Sequence, residues 1–524
     1  MVIPAGSGLK VTGMVGFEHK TGDPVRLKIE ASAGKPNGTF VYDGAPDGDK
    51  VFAEVQMYVK SKKLAEETTW TDNVEGSPTY GKKLPVQYTD QFFGVPFQRT
   101  SSAWFGGCYI YKYDEATNAP DRFYQKFTGL KAKETMTAFA GYSVRSTADK
   151  PVIKSMKGYL NLGDVKLTLT RKASLVNGAT AVSDAMNHWG LGQNLFGNSY
   201  TAPIQISQLS LPDILDKTVY MYNTGSAKDW GDAGGQTSNS LAGLSAGAYL
   251  AVPVNTASQQ GVNEIPSMQG FLLKFTDANT TPGGDDVTVG LSYGSLLATA
   301  TQEQLAKGNG WEAGNENEPG FVKFVLNGDN VNDVMWLFEQ PGTSDAFDNG
   351  WDGHKLGAEM MCDMIYSDAL AGKMQVNTTS SLTASNITVV SGEGGDYTLT
   401  LVRGNLPQYA DLKLIDTKAR QIVPFDGDSL VYSFSCDATG ADGARFKMMN
   451  TAETSFDNLS SGITEVLGTF TGSAVVYNLS GKAVAHVSLP QDMEKLKSQL
   501  ASGVYIISVT SGSKTANHKI VISN

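Results

Sequence analysis

The chain has 524 residues, with 42 Lys and Arg against 53 Asp and Glu, a formal net charge of −11 and a pI near 5.1. That balance offers no basic field to nucleic acid or to an anionic membrane surface. Hydrophobic residues at 41% against 18% charged argue for folded cores rather than a disordered chain, and the length suits roughly three to four domains of about 100 to 200 residues.

The first residues, Met1-Val2-Ile3-Pro4-Ala5-Gly6, contain neither a basic n-region nor an apolar h-region of a secretory signal. No apolar run of about 18 residues follows that could span a membrane as a helix. Much of the glycine sits in turn dipeptides: Asn37-Gly38, Asp43-Gly44, Asp47-Gly48, Asn177-Gly178, Asn327-Gly328, Asp426-Gly427 and Asp442-Gly443. Gly adopts positive φ freely and Asn or Asp tolerates it, so these pairs predict tight turns between adjacent antiparallel strands. Val165, Leu167 and Leu169 alternate with Lys166, Thr168 and Thr170, and Tyr397, Leu399 and Leu401 alternate with Thr398 and Thr400. That period of two predicts strands with one buried and one wet face. Helical signals are confined to short connectors, at Thr301 to Gly308 and at Met493 to Leu500.

The expected fold class is therefore all-β: tandem antiparallel β-sandwich or jelly-roll-like modules. Polar or Gly-rich seams at 61–81, 308–320 and 450–461 divide the chain into an N-terminal β segment at 1–85, modules at 86–308 and 309–452, and a small domain at 460–524.

Candidate sites are sparse. Trp104, Tyr109 and Trp230 fall in or beside predicted loops, where exposed aromatics would stack on sugars or meet protein partners; the competing reading folds such rings back into a core. Gly243-Leu244-Ser245-Ala246-Gly247 and Gly290-Leu291-Ser292-Tyr293-Gly294 match the turn that presents a nucleophilic serine. Neither serine precedes a clear helix, and His354, His486 and His518 are the downstream histidines, so turns explain them better. Asp348, Asp352 and Glu359 take positions one, five and twelve of a calcium loop, with Gly353 at position six. Position three is Gly350, without a ligand oxygen, and Phe347, Trp351 and Leu356 suit a turn pinned to a core by aromatics. Calcium is thus the one cofactor the sequence offers a loop for. Cys108, Cys362 and Cys436 are too scattered for a transition metal; Cys362 could pair with Cys436, or all three could be small buried hydrophobes.

The C-terminus carries the most specific signal. Val475-Val476-Tyr477-Asn478-Leu479-Ser480-Gly481, then Gly503-Val504-Tyr505-Ile506-Ile507, then Lys519-Ile520-Val521-Ile522 occur in order at the extreme end. This segment resembles the C-terminal sorting domain of proteins exported by the type IX secretion system of the Bacteroidetes, a small immunoglobulin-like fold. Tyr477, Gly481, Gly503, Tyr505 and Lys519 are the residues that carry the likeness. The resemblance implies a partnership with the type IX machinery, passage across the outer membrane, removal of this domain, and attachment to the cell surface or release. Such substrates first cross the inner membrane on a signal peptide, so the expected true N-terminus lies upstream of Met1.

A second likeness runs over residues 86–450. Gln91-Phe92-Phe93-Gly94-Val95-Pro96-Phe97, Gly141-Tyr142-Ser143-Val144, Gln193-Asn194-Leu195-Phe196-Gly197-Asn198-Ser199-Tyr200, Val219-Tyr220-Met221-Tyr222 and Ile265-Pro266-Ser267-Met268-Gln269-Gly270-Phe271 resemble the β-rich modules found ahead of type IX sorting domains, which have no generally assigned activity. The residues themselves read as turns and buried strands, with a close backbone approach at Gly270. The expectation is a non-catalytic surface protein working by adhesion or display, with a glycan or a host matrix protein as its ligand. The alternative is a carbohydrate-binding accessory region of a secreted enzyme whose catalytic domain lies upstream.

Overall fold

The computed structural model describes residues 1–13, 24–33, 35–42, 51–66, 69–71, 82–117, 126–171, 192–224, 248–276, 286–296, 318–328, 332–356, 363–391, 394–437, 440–456, 472–478, 482–489, 500, 503–511 and 514–522. The fold is all-β, built from many sheets that are mostly antiparallel. In the first sheet, Phe52–Val59 buries Ala53, Val55, Met57 and Val59 while the residues between them stay half-exposed, as a period of two requires. It pairs antiparallel along its whole length with Val152–Tyr159, and parallel with Leu27–Ile29. The sheet therefore draws strands from both sides of position 85, where the sequence suggests a seam. Parallel pairs also join Gly8–Val11 to Thr39–Tyr42 and Asn332–Glu339 to Gly372–Thr379. Turn dipeptides cannot announce such pairs, because parallel neighbours are joined by long crossovers.

Three of the sequence motifs meet in the middle of the molecule. Strand Gln91–Phe93 belongs to a sheet with Tyr142–Ser146, Cys108–Tyr113 and Phe127–Gly129, and strands Gln193–Gly197 and Gly270–Lys274 belong to another with Thr218–Tyr222 and Tyr249–Pro253. The two sheets touch through glycines: a Cβ on Gly270 would fall 2.6 Å from the Phe92 carbonyl carbon, and Gly94 abuts Gly197. Close approach at Gly270 is thus as expected. After Gly197 the chain turns on Asn198, which is wholly buried; its Nδ2 donates to the carbonyls of Ala202, Ile265 and Pro266, and its Oδ1 accepts from Tyr200 N at 3.0 Å.

An eleven-stranded sheet follows, with Gly320–Asn327 and Asn332–Glu339 as neighbouring interior strands. These two strands are buried on both faces. Val322, Phe324, Met335 and Leu337 enter a core closed by Leu399, Leu414, Phe434 and Phe446. Phe321, Val334, Trp336 and Phe338 enter the core of the preceding sheets, beside Tyr220, Leu250 and Phe271. One continuous core therefore runs across the 308–320 seam. The far ends of the large sheet curl toward each other: Tyr432 donates to Asp416 Oδ2 at 3.0 Å, and Arg445 Nη2 pairs with the same oxygen at 2.9 Å.

The turn dipeptides have mixed fates. Asn327-Gly328 opens a hairpin, with Asn327 opposite Asn332. Asn37-Gly38 does not: Gly38 is a close-approach residue whose Cβ would lie 2.6 Å from the Ile3 carbonyl oxygen. Asp442-Gly443 lies inside strand Gly440–Asn450, where the register against Asn386–Ser391 slips, so it forms a bulge. Asp426-Gly427 turns between two strands that do not pair with each other. Asp43-Gly44, Asp47-Gly48 and Asn177-Gly178 lie outside the described residues, as do 301–308 and 493–499.

The C-terminal domain has its own small core of Ala474, Val476, Val487, Leu500, Ile507 and Val509. Its described strands form one antiparallel sheet in the order Ala483–Leu489, Gly472–Asn478, Gly503–Ser511, Lys514–Ile522. The expected hairpin at Asn478 closes through Asn478 N donating to Lys482 O at 3.0 Å.

Candidate functional site

A cleft of about 550 Å³ opens between strands Val165–Leu169 and Gln193–Gly197, within the usual range of roughly 300 to 1,000 Å³ for ligand pockets. Its floor is apolar: Phe139, Leu167, Leu195 and Phe196 are buried members of the central core. Its rim holds the exposed side chains of Asp114, Asp164 and Lys166. Tyr113 closes one end by donating to the Gln193 carbonyl, and its burial raises the phenol pKa well above the ordinary tyrosine value. Phe139 is held at φ 57 while its N–H donates to Ser199 Oγ at 2.7 Å, a left-handed conformation seldom adopted by a bulky residue.

The polar groups at the closed end satisfy one another. Glu115 is buried, and its carboxylate accepts from Thr170 Oγ1 at 2.8 Å and from Gly192 N at 3.0 Å. Asn194 faces the Thr170 main chain with both ends of its amide: Oδ1 accepts from Thr170 N and Nδ2 donates to Thr170 O, each at 2.9 Å. Among the described residues, Val165–Leu169 pairs only with Val287–Leu291, so its other edge faces the cleft. Sequence reading identifies the strand and its wet face but misses the site. An edge is defined by the strand that does not pair there, and period-two alternation carries no record of that.

A second polar region is structural in form. Segment 348–355 bridges the sheet of Thr218–Tyr222 and the eleven-stranded sheet. Asn349 Oδ1 accepts from Lys217 N at 2.7 Å and its Nδ2 donates to Leu215 O at 2.9 Å, while Thr218 Oγ1 donates to Asp352 O at 2.7 Å. His354 stacks on Phe347 at 4.7 Å, with its Nε2 3.9 Å from Asp216 Oδ2. Asp216, wholly buried, also meets Lys274 Nζ and the Tyr220 hydroxyl, each at 3.1 Å. Lys355 pairs with buried Asp333.

Two of the residues singled out for calcium, Asp348 and Asp352, belong to this bridge. Asp352 is buried and both its oxygens accept backbone amides, from Asp348 N at 2.7 Å and Thr378 N at 2.6 Å; burial pushes its pKa up to about 8. Asp348 Oδ2 accepts from Ser344 N at 2.6 Å. Glu359 lies outside the described residues. Among the described residues, no group of three His, Cys, Asp or Glu stands close enough to hold a metal.

Of the aromatics, Trp104 sits in the short helix Ser102–Phe105, 39% exposed, and Tyr109 in strand Cys108–Tyr113, 51% exposed, its ring edge-on to Tyr88. Trp230 lies outside the described residues, as does Ser245. Ser292 is exposed at a strand end and, unlike the expectation, precedes a helical turn, Tyr293–Leu296. Cys108 is a half-buried free thiol, and Cys436 is buried with its Sγ accepting from Arg445 Nη1 at 3.3 Å; Cys362 lies outside the described residues. In the C-terminal domain, Tyr477 and Tyr505 are half-buried in neighbouring strands, Gly503 opens its strand opposite Ile522, and Lys519 pairs with Ile506. Gly481 lies outside the described residues.

Residues 450–523 match the family model of a secretion system C-terminal sorting domain. The whole chain aligns with the minor fimbrium subunit Mfa5 of Porphyromonas gingivalis, 29% identical over 556 residues. The match takes in 100% of this chain and 41% of that protein, so the chain spans less than half the length of the relative. No solved structure matches it. The chain carries a type IX sorting domain and is a type IX secretion substrate, secreted or anchored at the cell surface.

Proposed function

We propose that the chain belongs to a non-catalytic surface adhesin that assembles with fimbriae and binds through protein contacts. The observation that carries this reading is a sorting domain with its own core following a β body in which one apolar core joins the central sheets to the eleven-stranded sheet. Export needs the first, and mechanical display outside the cell is well served by the second. The likeness to a minor fimbrium subunit supports assembly at the surface. The buried acids and bases support a structural role, because Asp333, Asp352 and Glu115 spend their oxygens on amides, a hydroxyl and a lysine within the fold.

The test is to express the protein, with and without residues 460–524, in a type IX-competent host and to fractionate the cells. Protease-accessible surface protein that copurifies with sheared fimbriae, lost on truncation, is the expected result. Surface protein that stays with the cells when fimbriae are sheared off, and that adds no adherence to protein-coated surfaces, would overturn the proposal.

A further inference from the structure

We propose that the cleft beside Val165–Leu169 accepts an extended segment of another protein as an added β-strand. The reciprocal bonds between Asn194 and Thr170 have the pattern of a strand ladder: one acceptor and one donor presented to the N–H and C=O of a single residue. The side-chain amide therefore fills one rung of an edge that has no neighbouring strand among the described residues. N–H and C=O groups of alternate residues point to the same side of a strand, so those of Thr168 and Lys166 point the same way as those of Thr170, into the cleft. By the same alternation the groups of Val165, Leu167 and Leu169 point to the other side, where the strand pairs with Val287–Leu291. Among the described residues, two rungs are thus open above an apolar floor.

The lining specifies the occupant. Side chains of an added strand would alternate between that floor and the rim. Floor positions meet Leu167, Leu195 and Phe196 and suit Val or Ile. Rim positions meet two exposed carboxylates, Asp114 and Asp164, against one ammonium, Lys166, and suit a basic residue. Backbone pairing supplies affinity and the alternate side chains supply selectivity, as in other cases of strand addition. This inference concerns recognition by the chain itself and does not depend on display at the cell surface, so purified protein tests it.

The experiment measures fluorescence anisotropy of labelled, end-blocked pentapeptides with Val at positions one, three and five and Lys, Thr or Glu at two and four, titrated with the full chain. Saturable binding is expected, in the order Lys over Thr over Glu. The Lys peptide methylated on the backbone nitrogens of alternate residues, in both phases, should lose binding in one phase and keep it in the other. Thr168→Pro removes one cleft-facing N–H while sparing the ladder to Val287–Leu291, and proline is tolerated at such an edge; it should weaken binding by at least about tenfold. Failure of every peptide to bind, or equal binding by both methylated phases, would overturn the proposal. The methylation test uses the unaltered protein, so misfolding of Thr168→Pro leaves it decisive.

Discussion

Gly94 and Gly197 pass so closely that a Cβ built on Gly197 would stand 2.1 Å from the Gly94 Cα and 2.4 Å from its nitrogen. Both neighbours are backbone, which cannot rotate aside as a side chain would. Gly197→Ala should therefore separate two sheets and destabilise the protein by about 3 kcal/mol, the upper part of the range for overpacking. Gly290→Ala is the control, because a methyl there would meet nothing within 4 Å and strand Val287–Leu291 leaves the position exposed. Urea denaturation should show the first variant shifted far to low denaturant and the second within about 1 kcal/mol of the parent. Equal effects would refute the seam.

How much of this was legible in the sequence follows from the range over which each signal acts. Alternation marks Leu167 and Leu169 as buried and Tyr397, Leu399 and Leu401 as one face, and all five are buried. The motif around Tyr477 and Gly503 identifies the sorting domain because its residues are near one another in sequence. Asn37-Gly38 and Asp442-Gly443 show the limit: the same dipeptide serves a hairpin, a bulge or a tight crossing, and the strand that passes beside it decides which. The cleft depends on Asn194 meeting Thr170 and on an edge of Val165–Leu169 that has no neighbouring strand among the described residues, neither of which has a local signature. Likewise, Asp352 reads as a calcium ligand by spacing, whereas its oxygens are engaged by amides at Asp348 and Thr378.

Asp352 gives the fold a pH dependence of definite sign. Burial raises its pKa to about 8, outweighing the two amides that favour the carboxylate, while the unfolded residue titrates near 3.9. A raised acid binds its proton more tightly in the folded state. Its stabilising contribution is therefore complete below about pH 4 and is lost as pH rises toward 8, with a slope approaching 1.4 kcal/mol per pH unit. Asp352→Asn should flatten that part of the stability profile, at a cost of about 1 kcal/mol for the amide left without an acceptor. Chemical denaturation at pH 5, 6.5 and 8 of both proteins measures the difference; parallel profiles would show that Asp352 does not titrate there.

Calcium at the same loop has a direct readout. Asp348 and Asp352 direct oxygens to Ser344, the Asp348 amide and Thr378, and a cation would have to displace those donors. Millimolar calcium is expected to leave the melting temperature unchanged. A rise on adding calcium that disappears in Asp348→Asn would establish the loop as a calcium site and return Glu359 to consideration as its third ligand.

Lys355 and Asp333 pair with side chains no more than 1% exposed, and Asp333 Oδ2 also accepts from Ile365 N at 2.8 Å. Burial lowers the Lys355 pKa and Asp333 opposes that shift, so each charge is tolerable only beside the other. Lys355→Met leaves a buried carboxylate facing one amide, and Asp333→Ala leaves a buried ammonium and an orphaned Ile365 N–H. Each should cost about 3 to 5 kcal/mol. The double variant Lys355→Met with Asp333→Asn removes both charges yet keeps an acceptor for Ile365, and should lose less than Lys355→Met alone. That inversion is what separates a charge pair from ordinary packing: if the pair mattered only by filling space, the second substitution would add to the first. Urea unfolding followed by tryptophan fluorescence, with Trp336 on the same strand as Asp333, measures all three variants on one scale.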